Sequence, residues 1–162
     1  MDYVKEQSAN EEILQLVSFK LGTEEYGVNI LQVQEINRMT EITRVPNTPT
    51  YVEGVINLRG KVIPIIDLRK RLQMPSKEYD TSTRIIVVEL VDKVLGFIVD
   101  SVSEVLRISS NVVVEPPPGV SATKSDYITG VGKLENRLII LLDLEKTLSH
   151  EEQTSLQEVL EQ

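Results

Sequence analysis

Residues 51–72 read YVEGVINLRGKVIPIIDLRKRL, and the chain writes the same stretch again, altered, as YITGVGKLENRLIILLDLEKTL over residues 127–148. At an offset of 76 residues, Tyr51 meets Tyr127, Gly54 meets Gly130, Val55 meets Val131, Ile63 meets Ile139 and Asp67 meets Asp143. A weaker echo lies upstream of each copy, where YGVNILQVQEI from Tyr26 resembles LGFIVDSVSEV from Leu95 at an offset of 69. The two blocks keep their order. The chain therefore reads as one unit duplicated within 162 residues, a length that suits two small halves sharing a core.

Each copy is built from short apolar runs around polar turns. VEGVINL and KVIPIID are rich in branched aliphatics, which suit strands, and Arg59-Gly60 between them supplies a tight turn. Pro64 has no N–H to donate, so its strand should have an unpaired edge or a bulge there. Asp67 precedes LRKRL and Asp143 precedes LEKTL, in each case the N-cap position of a helical turn or two. Upstream, ILQLVSFKL and EEYGV form a hairpin about Gly22-Thr23, mirrored in the second half by RIIVVEL and KVLGFIV about Val91-Asp92. Ile30, Val33 and Ile36-Asn37 recur three apart, which predicts a short amphipathic helix over VNILQVQEINRM.

Pro46 and Pro49 make RVPNTPTY a connection. Its counterpart in the second half is seven residues longer and contains Pro116-Pro117-Pro118-Gly119, which predicts a stiff, extended surface loop. Ser149, with Glu152 three residues on, opens a capping-box helix with Leu156, Val159 and Leu160 on one face. Around five short strands per half, with only short helices between them, argue against a doubly wound parallel sheet. They predict a mainly β fold of two small barrels packed together, plus a C-terminal helix. The expected divisions are an N-terminal arm at 1–12, a first barrel at 13–73, a linker at 74–84, a second barrel at 85–148 and the helix at 149–162.

Composition narrows the function. With 25 acidic and 17 basic residues the net charge is −8, which opposes docking onto nucleic acid or an anionic membrane. Aromatic residues make up 4%, leaving few stacking platforms for single-stranded nucleic acid. The absence of cysteine removes thiolate and Cys-based metal chemistry and is compatible with a reducing compartment. No run reaches the roughly 18 apolar residues of a membrane span, and no signal pattern opens the chain, so the expected location is the cytoplasm.

Catalytic parts are thin. Phosphate-loop, dinucleotide, zincin and serine-hydrolase strings do not occur. His150, the one histidine, lies beside Ser149 at a helix head, where a solvated or capping role explains it. Asp67 and Asp143 read as a carboxylate pair or as two caps, and their equivalent places before short helical turns favour caps. No catalytic residue, metal or cofactor is expected.

The residues without a structural explanation are those where the halves disagree. At the hairpin tip Arg59-Gly60 becomes Glu135-Asn136, although a tip needed only for turning has no reason to be basic once and acidic once. One copy then presents a binding charge, with Glu35 as a partner that orients Arg59 more than it stabilises it. The alternative is that both charges are simply solvated.

Taken together, FKLGTEEYGVNILQVQEI, RVPNTPTYVEGVINLRGKVIPIIDL, GFIVDSVSEVL, YITGVGKL and LIILLDLEKTL make the chain, from about Ile13 to Leu160, similar to the CheW family of chemotaxis adaptor proteins. The resemblance implies two five-stranded barrels around a shared hydrophobic centre. It also implies a non-enzymatic adaptor that couples transmembrane chemoreceptors to the histidine kinase CheA, whose regulatory domain has the same fold. The receptor's cytoplasmic hairpin tip is expected in the groove between the halves, against Val33, Glu35 and Arg59, with Val102, Val105 and Leu106 across the groove. The kinase is expected on the first barrel at Ile42, Val45 and Val62.

A second kinase contact, which closes rings in receptor arrays, corresponds to Val114 and Val120. Where relatives carry Arg and Phe on that loop, this chain has Val114 and Gly119, a departure that bears on the charged part of the contact. The resemblance places the protein in the cytoplasm, recruited to arrays at the inner face of the membrane. The readings left open are the same adaptor in a chemosensory pathway without flagellar output, a small-ligand-binding β-barrel, and an enzyme using Asp67 and Asp143.

Overall fold

The computed structural model describes residues 12–90, 93–116 and 127–161, with backbone alone at His150 and at 157–161. The first half forms β1 (Ile13–Leu21), β2 (Glu24–Asn29), β3 (Val33–Arg38), β4 (Val52–Leu58), β5 (Lys61–Asp67) and the single-turn helix α1 (Leu68–Arg71). The second forms β6 (Arg84–Leu90), β7 (Lys93–Val99), β8 (Ser101–Ser109), β9 (Val113–Val114), β10 (Ile128–Leu134), β11 (Arg137–Leu142) and the terminal helix α2 (His150–Glu161). Tight 3-10 turns stand at Ile30–Gln32, Ser110–Val112 and Leu144–Thr147.

The strands make two sheets, β3-β6-β7-β5-β4 and β8-β1-β2-β11-β10-β9, the mainly β architecture that the duplication implied. The sheets do not follow chain order. The β1–β2 hairpin joins the six-stranded sheet and the β6–β7 hairpin joins the five-stranded one, so the two halves exchange their first hairpins. The exchange is made by two parallel ladders of identical register: Ile65 lies beside Gly96 where β5 meets β7, and Leu141 lies beside Gly27 where β11 meets β2. A Cβ on Gly96 would stand 2.5 Å from the Ile65 side chain, so a glycine is required there. The edge or bulge expected at Pro64 is corrected: Pro64 lies opposite Val55 of β4, the bulge of that ladder falls between Val52 and Gly54, and the parallel ladder to β7 begins one residue past the proline.

Each sheet curls until its edges meet. After β3, Thr43 bonds Val55 of β4 in both directions at 2.9 and 2.8 Å; after β8, β9 pairs Val114 with Val131 of β10. The ladders slip at matching places, between Val52 and Gly54 and between Ile128 and Gly130. At Gly54 the φ is +148°, and a Cβ would lie 2.1 Å from the Thr43 carbonyl oxygen. At the equivalent Gly130 it would lie 2.7 Å from a Val113 methyl.

The core has three layers, which explains why β6 is apolar without alternation. Ile85 and Val87 fill the first barrel, whereas Ile86 and Val88 face a shared centre that also takes Phe19, Phe97, Leu142 and Leu144. Leu16, Ile108, Ile139 and Leu141 fill the second barrel. The terminal helix covers the shared centre with Leu156, a burial that stabilises by roughly 2 kcal/mol. The expected capping box is formed: the Ser149 amide donates to Glu152 Oε1 at 2.8 Å, and the Glu152 amide donates to Ser149 Oγ at 3.1 Å. Val159, Leu160 and the His150 side chain lie outside the described side chains.

The helix predicted over VNILQVQEINRM is corrected: only Ile30–Gln32 turns, and Val33–Arg38 is strand. The cause is a bulge between Val33 and Glu35. An extra residue in a strand sets Val33 and Ile36 on one face, and a spacing of three imitates a helical period.

Between the halves, Met74–Thr83 has no strand and is pinned from the first barrel. The Tyr79 hydroxyl donates to Asp67 Oδ2 at 2.8 Å, and Arg69 donates to the Pro75 carbonyl at 2.8 Å. Arg69 also donates to Asp100 at 2.8 and 2.6 Å, and Asp100 accepts the Gly22 amide at 2.7 Å. That cluster stitches α1 to the turns after β1 and β7.

Candidate docking site

Residues directly opposite in an antiparallel ladder share a face. Val33 lies opposite Val88 and Ile36 opposite Ile86, while Val102 lies opposite Phe19 and Val105 opposite Val17. All four of those partners belong to the shared centre. Val33 and Ile36 of β3, and Val102 and Val105 of β8, therefore form two rows bordering one core. They are equivalents in the repeat, 69 residues apart. Val33 and Val102 pack half-buried against the core, whereas Ile36 is 39% and Val105 56% exposed.

Leu106 does not join them. It packs with the interior of the second barrel, because the bulge between Ser18 and Phe19 puts Val102 and Val105, and not Leu106, on the outer face. Sequence reasoning missed Ile36, which the repeat signals as the counterpart of Val105. It also missed Leu31, 88% exposed on the 3-10 turn two residues before Val33. No periodicity marks a residue on so short a turn.

Arg59 and Glu35 are in contact. Arg59 Nη1 donates to Glu35 Oε2 at 3.2 Å, and Nη2 bonds the other carboxylate oxygen. β3 and β4 are the two edges of one sheet, so this pair spans the barrel's closure. The turn is of the type I′ kind: Arg59 has φ +51° and Gly60 φ +84°, and the Gly60 amide donates to Asn57 Oδ1 at 2.8 Å. The arginine is thus held in a left-handed conformation rare for an L residue, with its side chain 68% exposed. The bond from Arg59 holds the Glu35 carboxyl below its ordinary pKa, and the Glu35 bond and charge raise that of Arg59.

The second copy has the same pair by another route. Glu104, equivalent to Glu35, accepts from Arg137 Nη2 at 3.0 Å, and Arg137 Nε lies 3.4 Å from Glu25. The contrast between Arg59 and Glu135 at the tips is therefore no sign that one barrel lacks its cation; the arginine of the second hairpin stands two residues further along.

On the kinase side, Ile42 is half-buried against the first barrel's interior, and Val45 is half-buried with its carbonyl accepting the Thr48 hydroxyl at 3.0 Å. Val62 points outward on β5, 50% exposed, as does its repeat equivalent Leu138 on β11. Val114 is exposed on β9, and Val120 lies outside the described residues.

The two candidate carboxylates are occupied. Asp67, buried, accepts the Lys70 amide at 3.3 Å besides the Tyr79 hydroxyl; Asp143 accepts the Glu145 amide at 3.1 Å and Gln32 Nε2 at 3.2 Å. Among the described residues no group of His, Asp or Glu is arranged to hold a metal ion.

Two barrels sharing one hydrophobic core, with paired apolar rows at its border and an arginine held at the rim, make a double-barrel β module. The family model described as CheW-like domain matches residues 15–152. The chain is 44% identical over 134 residues to chemotaxis protein CheW of Klebsiella aerogenes, covering 83% of this chain and 81% of that one. Against chemotaxis protein CheW of Bacillus subtilis it is 37% identical over 140 residues, covering 86% and 90%. In three dimensions it is similar to the scaffolding protein TtCheW from Thermoanaerobacter tengcongensis, with a TM-score of 0.76 at 39% identity, covering 82% of this chain and 90% of that chain. The chain belongs to the CheW-like family, and its role is that of a coupling scaffold in chemotaxis. No helix among the described residues is long and apolar enough to cross a membrane.

Proposed function

We propose that the chain is a non-enzymatic adaptor that holds the cytoplasmic hairpin tip of chemoreceptors and a CheA-type histidine kinase in one complex, in the cytoplasm at the inner face of the membrane. The observation that supports this best is the pairing of the two rows. A helical hairpin lays apolar side chains on Val33 and Ile36 from one strand and on Val102 and Val105 from the other, in a groove at the shared core. Arg59, oriented by Glu35, gives the register. The kinase regulatory domain docks on the first barrel at Val62 and Val45, with Ile42 supporting from behind, and a second kinase contact uses the β9 region at Val114 and on to Val120. Coupling is positional, because binding both partners raises their effective concentration and fixes their mutual orientation. No cofactor takes part.

The test is autophosphorylation by the kinase in a reconstituted mixture with receptor fragments, with and without this protein, and with Arg59→Glu and Val105→Asp variants. Activity should rise only when the wild type joins both partners, and both variants should lose that rise. Full stimulation by the variants would remove the groove, and wild-type protein that sediments with neither partner would overturn the coupling itself.

A further inference from the structure

We propose that the end of the β3–β6 ladder carries a second docking site, a cationic cleft that takes the carboxylates of an acidic segment on a protein partner. The proposal rests on ladder register and is separate from the receptor reading. Arg38 of β3 and Arg84 of β6 lie directly opposite each other. Like charges so placed repel and destabilise the ladder, which in a chain of net charge −8 is an unexpected pairing. The pair opens onto a cleft of about 380 Å³ lined also by Met39, Asp80, Thr81 and Thr83.

Nothing among the described residues neutralises the pair. Arg84 is positioned by Nη1, which donates to the Thr81 and Thr83 carbonyls at 2.8 and 2.9 Å. Those bonds leave Nε and Nη2 without a bond. Arg38 makes neither a hydrogen bond nor an ion pair among the described residues. Asp80 is the one carboxylate of the lining, and it is taken up elsewhere: it accepts the Ser82 amide at 2.8 Å and pairs with Lys77 at 3.4 Å.

The choice of an acidic segment over a free anion follows from what the cleft lacks. An inorganic oxyanion is usually cradled by several backbone amides, and here three of those along the loop are committed: Asp80 N–H donates to Thr83 Oγ1, Ser82 N–H to Asp80 Oδ1 and Thr83 N–H to the Asp80 carbonyl. Two guanidinium forks remain, each matched to a carboxylate. Met39 beside them offers an apolar surface for the aliphatic part of a glutamate side chain.

The probe is N-acetyl-tetraglutamate amide, titrated into the whole protein while the arginine side-chain and methionine methyl NMR signals are followed. Inorganic phosphate at matched ionic strength runs in parallel. Saturable shifts are expected at Arg38, Arg84 and Met39 with the peptide and not with phosphate. Arg38→Glu turns the repelling pair into an attracting one, so it should raise Tm by about 2 °C and at the same time weaken peptide binding by about tenfold or more. Arg107→Glu, on β8, should leave binding unchanged. Absence of saturable shifts, or undiminished binding by Arg38→Glu, overturns the site. Equal saturation by phosphate overturns the acidic segment in favour of a free anion.

Discussion

Glu35 and Glu104 occupy equivalent places 69 residues apart, and each is held by an arginine of its own barrel's second hairpin, Arg59 on the turn between β4 and β5 and Arg137 at the start of β11. The arginines are not equivalents, so the two copies reach one arrangement from different sequences. The shared part of that arrangement is an arginine that holds a glutamate of an edge strand; what belongs to Arg59 alone is that it bridges the two edges of its sheet and is exposed on a left-handed turn.

These two roles separate by experiment. Arg59→Glu should lower Tm only slightly, because an exposed pair contributes little to folding, and should weaken binding of a receptor fragment by about tenfold. Adding Glu35→Arg restores the pair in reverse. The double variant should regain the lost Tm and none of the binding. Recovery of binding in the double variant would mean that Arg59 acts only by fixing β3.

Barrel closure at Gly54 admits no side chain. With φ at +148° and the Thr43 carbonyl oxygen 2.1 Å from a built Cβ, Gly54→Ala must break the Thr43–Val55 bridge or move β4. A loss of about 3 kcal/mol or more in urea unfolding is expected. Gly130→Ala meets a valine methyl at 2.7 Å, which can rotate away, and should cost less. The opposite order would show that the two closures are not built alike.

The Asp100 cluster makes stability depend on acid. Burial alone would raise the Asp100 pKa, but the bonds from Arg69 and the Gly22 amide outweigh it and carry the carboxyl below its ordinary range. A carboxyl with a lowered folded pKa contributes fully above its unfolded value of about 3.9, and the contribution fades as pH falls through the folded value. Asp100→Asn leaves Arg69 largely buried without its counter-charge and should cost about 2 kcal/mol at neutral pH. The Tm of the wild type should then fall more steeply than that of the variant as pH drops below about 4. Parallel curves would remove Asp100 as the acid-sensitive group.

Much of this was legible in the sequence because duplication makes one half annotate the other. Gly54 and Gly130, Asp67 and Asp143, and the Ser149–Glu152 cap could all be read from local chemistry. Exchange of the first hairpins could not, since a strand's hydrophobic pattern names the face it buries and not the strand beside it. The helix expected around Val33 failed for a related reason, because one bulge residue changes a period of two into a local three. Leu106 turns into the second barrel, and Ile36 onto the border of the shared core, through the same kind of irregularity. The Arg38–Arg84 pair depends on register between strands 46 residues apart, which no local pattern reports.

Helix α2 is fastened to the first barrel through Glu152, whose carboxylate accepts the Tyr51 hydroxyl at 2.5 Å and Arg71 at 3.2 Å, while Arg71 stacks 5.1 Å above the Tyr51 ring. Burial, and then the bond to Glu152, push the Tyr51 phenol up to about 12. A group with a raised folded pKa contributes fully below its unfolded value of about 10, and the contribution is lost as pH rises through the folded value. The ultraviolet difference titration between wild type and Tyr51→Phe should therefore show a phenol ionising near pH 12. Glu152→Ala removes the acceptor of the Ser149 amide together with that of the tyrosine, and leaves the bond from the residue 152 amide to Ser149 Oγ in place. It should shift that ionisation downward and speed hydrogen exchange in α2 about fivefold, as expected for the loss of a hydrogen bond worth about 1 kcal/mol. Unchanged exchange with a shifted phenol would mean that Leu156 alone holds the helix and that Glu152 serves only the tyrosine.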